Sequence, residues 1–206
     1  MPFELKEIII KSSINYKDVA GKEVWNLELS QDNDFYFYLE KNSENKDIKI
    51  EKVSIENLRI NTILKLGDLK VYIPTSNEIE TMYKESKESY IGKDIVFKAG
   101  AVDNLSAQEI SENGGMICFR ISSEKIGTYK SSKAKKVTYD GNFLKELGID
   151  EEDLQFSVNF DFIIETDDGV KYKTNLEYNL PVDKFEDSNS SSRVINDFSS
   201  TIFKRD

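Results

Sequence analysis

Residues 154–180 read LQFSVNFDFIIETDDGVKYKTNLEYNL, two runs of alternating apolar and polar residues around Asp167-Asp168-Gly169. Alternation with a period of two is the signature of a β-strand that buries one face. The even-numbered positions of both runs are mostly apolar, and among the odd-numbered positions only Ile163 breaks the pattern. The segment therefore predicts one long β-hairpin and makes an all-β architecture the first expectation.

The parity of the apolar positions also predicts the register of this hairpin. Directly opposed residues of an antiparallel pair share a face of the sheet, so apolar even positions must oppose apolar even positions. A three-residue loop at 167–169 satisfies this condition and sets Phe160 opposite Leu176, with the glycine of the loop in a left-handed conformation. A two-residue turn would set Glu165 against Tyr172 and mix the faces. A one-residue slip would cost about 1.5–3 kcal/mol for each large side chain it exposes.

Further segments with strand character lie before and after the hairpin. Together they predict an all-β fold, an antiparallel β-sandwich with short helical insertions. It is either one large two-sheet sandwich or two small Ig-like or jelly-roll-like sandwiches. A short helix is expected to carry Phe143, Leu144 and Leu147 and to end at Gly148. The predicted strands are 5–11, 22–30, 34–41, 47–56, 58–66, 69–74, 94–98, 115–122 and 136–140.

The pattern predicts four regions along the chain. A β-rich N-terminal half, 1–74, precedes a helical connector at 75–90, where capping-box spacing and periodic apolar residues indicate a helix. A β-rich C-terminal half, 91–182, contains the hairpin. Residues 183–206 begin as a polar, Ser/Asn-rich linker. They end in apolar residues at helical spacing between Val194 and Phe203, which predicts either a docked terminal segment or a partner-binding tail.

Composition limits the chemistry that the chain can perform. Its 206 residues contain no histidine, which removes Ser-His-Asp and Cys-His nucleophile activation and His-ligated metals. Cys118 is the only cysteine, so the chain forms no internal disulfide and no thiolate cluster. Its apolar surroundings predict a small buried hydrophobe. We therefore expect no catalytic set, no metal site and no cofactor.

Charge and hydropathy indicate what the chain does not bind. A formal net charge of −10 argues against duplex nucleic acid and against anionic membranes, both of which reward clustered Lys and Arg. The N-terminal residues MPFELKE are charged where a signal peptide needs an apolar stretch. The longest apolar run, 35–39, is too short for a membrane span. These features predict a cytoplasmic or virion-associated protein rather than a secreted one.

Clusters of charge have two interpretations each. The acidic clusters are expected in solvated turns, where Asp favours the backbone conformation, with calcium binding or a glycosidase carboxylate pair as alternatives. A basic stretch from Lys125 to Lys136 is expected to be a solvated loop that protects a sheet edge, with contact to an acidic partner or to a nucleic-acid backbone as the alternative. The acidic clusters are Asp32 with Asp34, Glu151-Glu152-Asp153, Asp167-Asp168 and Glu186-Asp187.

The strongest candidate for a binding surface is the segment 34–40, DFYFYLE. In a strand, Phe35 and Phe37 point to one side and Tyr36 and Tyr38 to the other. Two tyrosines together on an outer face can anchor an interface or stack on a sugar ring. The alternative is that a second layer covers them. We take Tyr36 and Tyr38 as the predicted partner-binding residues.

Three function classes fit these observations. The preferred one is a non-catalytic interaction or assembly protein without enzymatic activity, such as a structural component of a phage particle or of a bacterial surface or secretion assembly. Its partner would be another protein or a second copy of the chain in a homo-oligomer. One alternative is a carbohydrate-binding or carboxylate-dependent glycoside-cleaving domain. The other is an acidic inhibitor or immunity protein that blocks a basic site.

Overall fold

The computed structural model describes residues 1–19, 24–44, 47–62, 67–73, 90–101, 110–132, 142–185 and 189–206. These residues form two antiparallel five-stranded sheets packed against each other, which confirms the predicted all-β sandwich. Sheet A has the spatial order β4 (Asp68–Tyr72), β6 (Gly114–Ser132), β2 (Val24–Lys41), β1 (Phe3–Asp18) and β9 (Ser190–Ile195). Sheet B has the order β10 (Lys204–Arg205), β8 (Lys171–Leu180), β7 (Phe156–Thr166), β3 (Ile50–Thr62) and β5 (Ile95–Lys98).

Each sheet mixes strands from both halves of the chain. In sheet A, β2 pairs with β6 and β1 pairs with β9; in sheet B, β3 pairs with β7. The described strands therefore form one two-sheet sandwich instead of two small ones. Of the predicted helical connector at 75–90 only Tyr90 is described, and the predicted strand at 136–140 lies outside the described residues.

The long hairpin has the predicted register. Phe160 lies opposite Leu176, and the backbone N–H of Thr166 donates to the carbonyl oxygen of Val170 at 3.0 Å. Gly169 has a φ of 81°, the left-handed conformation expected at the end of a three-residue loop. The alternation of side chains thus determined both the pairing and the turn.

Phenylalanine rings fill the space between the sheets. Phe35 and Phe119 of sheet A are stacked, with ring centroids 4.8 Å apart and an interplanar angle of 4°. Phe160 of sheet B meets both rings edge-on, at centroid distances of 6.3 and 5.8 Å, and also contacts Phe37. All four side chains are fully buried. Stacked and edge-to-face pairs are the geometries that aromatic quadrupoles favour.

A second, smaller hydrophobic cluster lies under the far end of sheet A. The predicted short helix is present as α1 (Asn142–Leu147) and ends at Gly148, whose φ is 67°. Leu144 of this helix packs with Leu27 and Leu29 of β2, and the half-buried Trp25 contacts the same cluster. A short 3-10 helix, Glu151–Leu154, follows α1. No helix in the described part of the chain has the length and apolarity of a membrane span.

Three strands extend beyond their predicted ends. β2 is continuous where the sequence predicted a break, since the inward-facing Asn33 accepts a hydrogen bond from Ser12 Oγ at 2.7 Å. β3 continues through a bulge at Asn57, whose φ is 54°. β6 continues to Ser132, so the solvated-loop interpretation of the basic stretch was wrong for its described part. Lys133, Lys135 and Lys136 lie outside the described residues.

The terminal region differs most from the prediction. The expected polar linker ends before Ser190, where β9 begins and adds to β1. Val194 is therefore a strand residue, and the helical interpretation of 194–203 was wrong. Ile195, Phe198 and Phe203 nevertheless pack against the main core, so part of the terminal segment is docked as predicted.

The outer face of sheet B carries a buried carboxylate held by three donors. Asp161 accepts hydrogen bonds from Asn57 Nδ2 at 2.7 Å, from Asn175 Nδ2 at 3.1 Å and from Lys173 Nζ at 2.8 Å. Burial raises the pKa of the Asp161 carboxyl, but the hydrogen bonds outweigh burial and the net pKa is lowered. The left-handed backbone conformation of Asn57 in the bulge brings the side-chain amide of this residue to Asp161.

Because the pKa of Asp161 is lowered on folding, its ionisation stabilises the folded state above the unfolded pKa of about 3.9. This contribution is lost as the pH falls through the lower, folded-state pKa. We expect Asp161→Asn to reduce the free energy of unfolding by about 1–2 kcal/mol at neutral pH. The difference from wild type should shrink steadily below about pH 4. Urea unfolding across this pH range measures both effects.

Glu177→Gln is the matched control, because it removes the same charge from an exposed position of β8 on the same face. Its unfolding curves should follow those of the wild type at every pH. An Asp161→Asn variant that keeps the full acid sensitivity of the wild type would contradict this role for the carboxylate.

Candidate functional site

Tyr36 and Tyr38 lie on the outer face of sheet A, as the sequence predicted. Phe35 and Phe37 are fully buried between the two sheets, so the alternation of β2 directs the tyrosines to the opposite side. Both tyrosines are half-buried, and neither ring is removed from solvent. Their role in partner binding remains a prediction.

The pairing of the strands places further apolar side chains next to the two tyrosines. On one side of β2, Ile9 of β1 lies opposite Tyr36, and Val194 of β9 lies opposite Ile9. On the other side, Met116 of β6 lies opposite Tyr38. We define the tyrosine face as Ile9, Tyr36, Tyr38, Met116 and Val194. It crosses sheet A and reaches the edge strand, where Val194 is 54% exposed.

Cys118 of β6 lies opposite Tyr36, and Tyr36 is half-buried because it packs against this residue. The thiol is fully buried and packs against the rings of Tyr36 and Tyr72, which confirms the predicted small hydrophobe. Burial, with a smaller contribution from Asp34, raises the pKa of the Tyr36 phenol. Burial likewise raises the pKa of Tyr38. A tyrosine phenol is protonated at neutral pH in any case, and the raised pKa extends this state further into the alkaline range, so both phenols keep a hydrogen to donate.

A buried ion network borders the tyrosine face. Arg120 of β6 binds Asp34 with two parallel hydrogen bonds, Nε to Oδ1 at 2.6 Å and Nη2 to Oδ2 at 2.9 Å. Its Nη1 also donates to Asp32 Oδ2 at 3.1 Å. Asp32 accepts further bonds from Ser122 Oγ at 2.5 Å and from Asn15 Nδ2 at 2.6 Å. Paired geometry of this kind compensates for burying charge on a sheet surface.

The network corrects one prediction. Asp32 and Asp34 are not in a solvated turn: both lie in the middle of β2 and are only 6% exposed. Burial raises the pKa of the Asp34 carboxyl, and the hydrogen bonds from Arg120 oppose this shift. The sequence held a signal for the site, because 32, 34, 36 and 38 share one parity and therefore one face. Arg120 was missed because nothing in the sequence indicates which strand pairs with β2.

The other acidic clusters are less informative. Asp167 and Asp168 form the exposed hairpin loop, where Asp168 Oδ1 accepts a hydrogen bond from Thr166 Oγ1 at 2.6 Å. The cluster at 151–153 forms the short 3-10 helix. The hairpin loop is a solvated turn, as predicted, whereas the cluster at 151–153 is helical and partly buried, and Glu186-Asp187 lies outside the described residues. In the described ranges, no three Cys, Asp or Glu side chains are grouped so as to hold a metal ion.

A polar cleft opens beside the ion network, with a volume of about 360 Å³. Basic and acidic side chains are balanced along its walls, and Tyr72 donates from its hydroxyl to Glu124 Oε1 at 2.5 Å. The polar side chains that line the cleft can form hydrogen bonds next to the tyrosine face. Its charged lining residues are Lys17, Arg120, Lys125, Glu28, Asp32 and Glu124.

The outer face of sheet A thus combines apolar side chains, two phenols and a charged border that is neutralised in part. Comparison of the chain with protein-family models, with curated proteins and with solved structures finds no match.

Proposed function

We propose that this chain is a non-catalytic interaction and assembly protein that contacts a protein partner through the tyrosine face of sheet A. The observation that carries the proposal is the continuity of that face. Half-buried tyrosine and methionine side chains at its centre are followed by an exposed Val194 at its edge. A contiguous apolar patch on a sheet surface is typical of a binding site.

The composition of the face supports this assignment. Tyrosine and methionine are enriched at the buried centres of protein interfaces, where charged residues are depleted and a polar border surrounds the patch. Here the border is the ion network of Arg120, Asp32 and Asp34, whose charges already neutralise one another in part. One arginine faces two carboxylates there, and Glu7 lies opposite Tyr38, so a partner that covers this region has to match the remaining negative charge.

Tyrosine also suits a contact that must be both apolar and specific. Its ring adds a large contact area at a small entropic cost, and its hydroxyl forms a directed hydrogen bond. The raised pKa values keep both phenols neutral, so this bond persists above neutral pH. A net charge of −10 favours a neutral or basic partner surface.

The proposal is tested by placing a photo-cross-linking residue in the face. We expect Tyr38→p-benzoylphenylalanine, which keeps an aromatic ring at this position, to give a cross-linked product of higher mass when cells that make the protein are irradiated. The mass of the product distinguishes a second copy of the chain from another protein. Gel analysis followed by mass spectrometry gives the readout.

Tyr16→p-benzoylphenylalanine is the control, since Tyr16 is an exposed tyrosine of β1 outside the tyrosine face. It should give little product under the same irradiation. Equal cross-linking at both positions, or none at position 38, would refute the proposed interface.

A further inference from the structure

The polar cleft beside the ion network opens at a bulge in β6. Where the register of β2 and β6 shifts, the single residue Ser30 of β2 faces three residues of β6, 124–126. The middle one, Lys125, has a left-handed φ of 59°. A bulge bends its strand and re-aims the side chains that it carries. Ser30, Glu124 and Lys125 all line the cleft, so the bulge shapes its walls.

The charges in the cleft balance by number but not by pairing. Among the described residues that line it, three are basic and three are acidic. Two of the basic side chains are already engaged by carboxylates that do not line the cleft. Arg120 forms two parallel hydrogen bonds with Asp34, and the ammonium of Lys125 lies 3.5 Å from Asp68. The acidic side chains of the cleft therefore exceed the cations that are left to them.

Two of these acidic side chains have no cation. Glu28 of β2 and Glu124 of β6 are half-buried, and within the described ranges neither forms an ion pair. Lys17 lies opposite Glu28 in the β1–β2 ladder, but its side chain is exposed and does not pair with Glu28. A cation in direct contact stabilises a carboxylate, and more strongly where water is partly excluded. Glu28 and Glu124 are therefore complementary to a cation from outside the chain.

We propose that an arginine of the protein partner enters this cleft and forms ion pairs with Glu28 and Glu124. The proposal rests on the proposed function and specifies the partner as a protein with a basic side chain beside an apolar patch. The guanidinium group offers five donors in a planar fork that matches carboxylates. It also stacks on aromatic rings, and Tyr72 lines the cleft. Arginine is enriched among the residues that anchor protein interfaces.

One partner can cover both the cleft and the tyrosine face. Ser30 and Tyr36 share the outer face of β2, since both have even numbers, and six residues of a strand span about 20 Å. A standard interface buries about 800 Å² on each partner, which is wide enough for this distance. The ion pairs and the apolar contact therefore belong to one interface.

A titration followed by NMR tests the cleft without the partner. We expect N-acetyl-L-arginine amide to shift the backbone amide signals of 28–30 and 124–125 in a saturable manner. N-acetyl-L-citrulline amide, which carries a neutral urea group in place of the guanidinium, should not. The double variant Glu28→Gln, Glu124→Gln should bind the arginine derivative about five-fold more weakly. Its new glutamine at 124 still provides an acceptor for the hydroxyl of Tyr72.

The double variant Glu51→Gln, Glu177→Gln is the matched control, because it removes the same charge from exposed positions of β3 and β8 in sheet B. It should bind the arginine derivative as the wild type does. Urea unfolding should give the Glu28, Glu124 variant the stability of the wild type, since no ion pair is lost. A clear loss of stability would assign the two glutamates a structural role and overturn the proposal.

Equal shifts with the arginine and citrulline derivatives, or equal affinity of the two double variants, would also overturn it. The photo-cross-linker at position 38 reports on the tyrosine face separately. Arginine binding without a cross-linked product would support the cleft and refute the proposed function. A cross-linked product without arginine binding would support the proposed function and refute the cleft.

Discussion

Replacing Phe160 by alanine is expected to reduce the free energy of unfolding by about 3–5 kcal/mol, the largest effect of any single change considered. The ring is fully buried and meets Phe35, Phe37 and Phe119 edge-on. Alanine would remove the apolar contact and leave a cavity between the two sheets that stacked rings cannot close. Urea unfolding measures the loss as a lower midpoint at an unchanged slope.

Two further variants make this result specific to packing. Phe160→Leu keeps most of the side-chain volume and should cost less than about half as much. Val96→Ala shortens an exposed side chain on β5 and should stay within about 0.5 kcal/mol of wild type. An alanine variant at 160 that is as stable as the leucine variant would show that the ring cluster is not the centre of the core.

Replacing Arg120 by methionine is expected to cost about 3 kcal/mol, because it leaves the buried carboxylates of Asp32 and Asp34 without their cation. The value lies at the low end for a broken buried pair, since the Arg120 side chain retains 20% exposure. The loss should be smaller in acid, where protonation of the Asp34 carboxyl, whose pKa is raised by burial, removes one unpaired charge. Unfolding at neutral and acidic pH measures both.

The double variant Arg120→Met, Asp34→Leu separates the ion pair from the fold. Replacing a buried pair by apolar residues is often neutral, and Asp32 would keep its hydrogen bonds from Ser122 and Asn15. We expect the double variant to recover most of the stability that the single variant loses. A double variant less stable than Arg120→Met alone would show that the network holds β2 and β6 together in a way that apolar contact cannot replace.

The parts of this fold that could be predicted are those where neighbours in the chain carry the information. The hairpin from 154 to 180 was predicted to the level of register, because alternation requires only that one face be buried. The same argument placed Tyr36 and Tyr38 on the side opposite Phe35. The end of the helix at Gly148 was also predicted from local sequence, since glycine is the residue that takes the left-handed position after a helix.

The parts that could not be predicted depend on residues distant in the sequence. Asp34 and Arg120 are 86 residues apart in the sequence. That Asp34 lies inside a strand can therefore be recognised only once β2 is known to pair with β6. Polar residues at 31–34 therefore resembled a turn. β9 was missed because its first three residues are serines, so 190–195 show no apolar alternation.

The pairing of β1 with β9 has a consequence for how the protein is made. Ile8 lies opposite Ile195, so the ladder that completes sheet A joins two strands that are synthesised far apart in time. At about 5–20 residues per second, the β1–β2 hairpin waits roughly ten to thirty seconds for β9. Until β7 of sheet B is synthesised, the phenylalanines of β2 also lack the rings that will cover them. We therefore expect the nascent chain to depend on ribosome-associated chaperones.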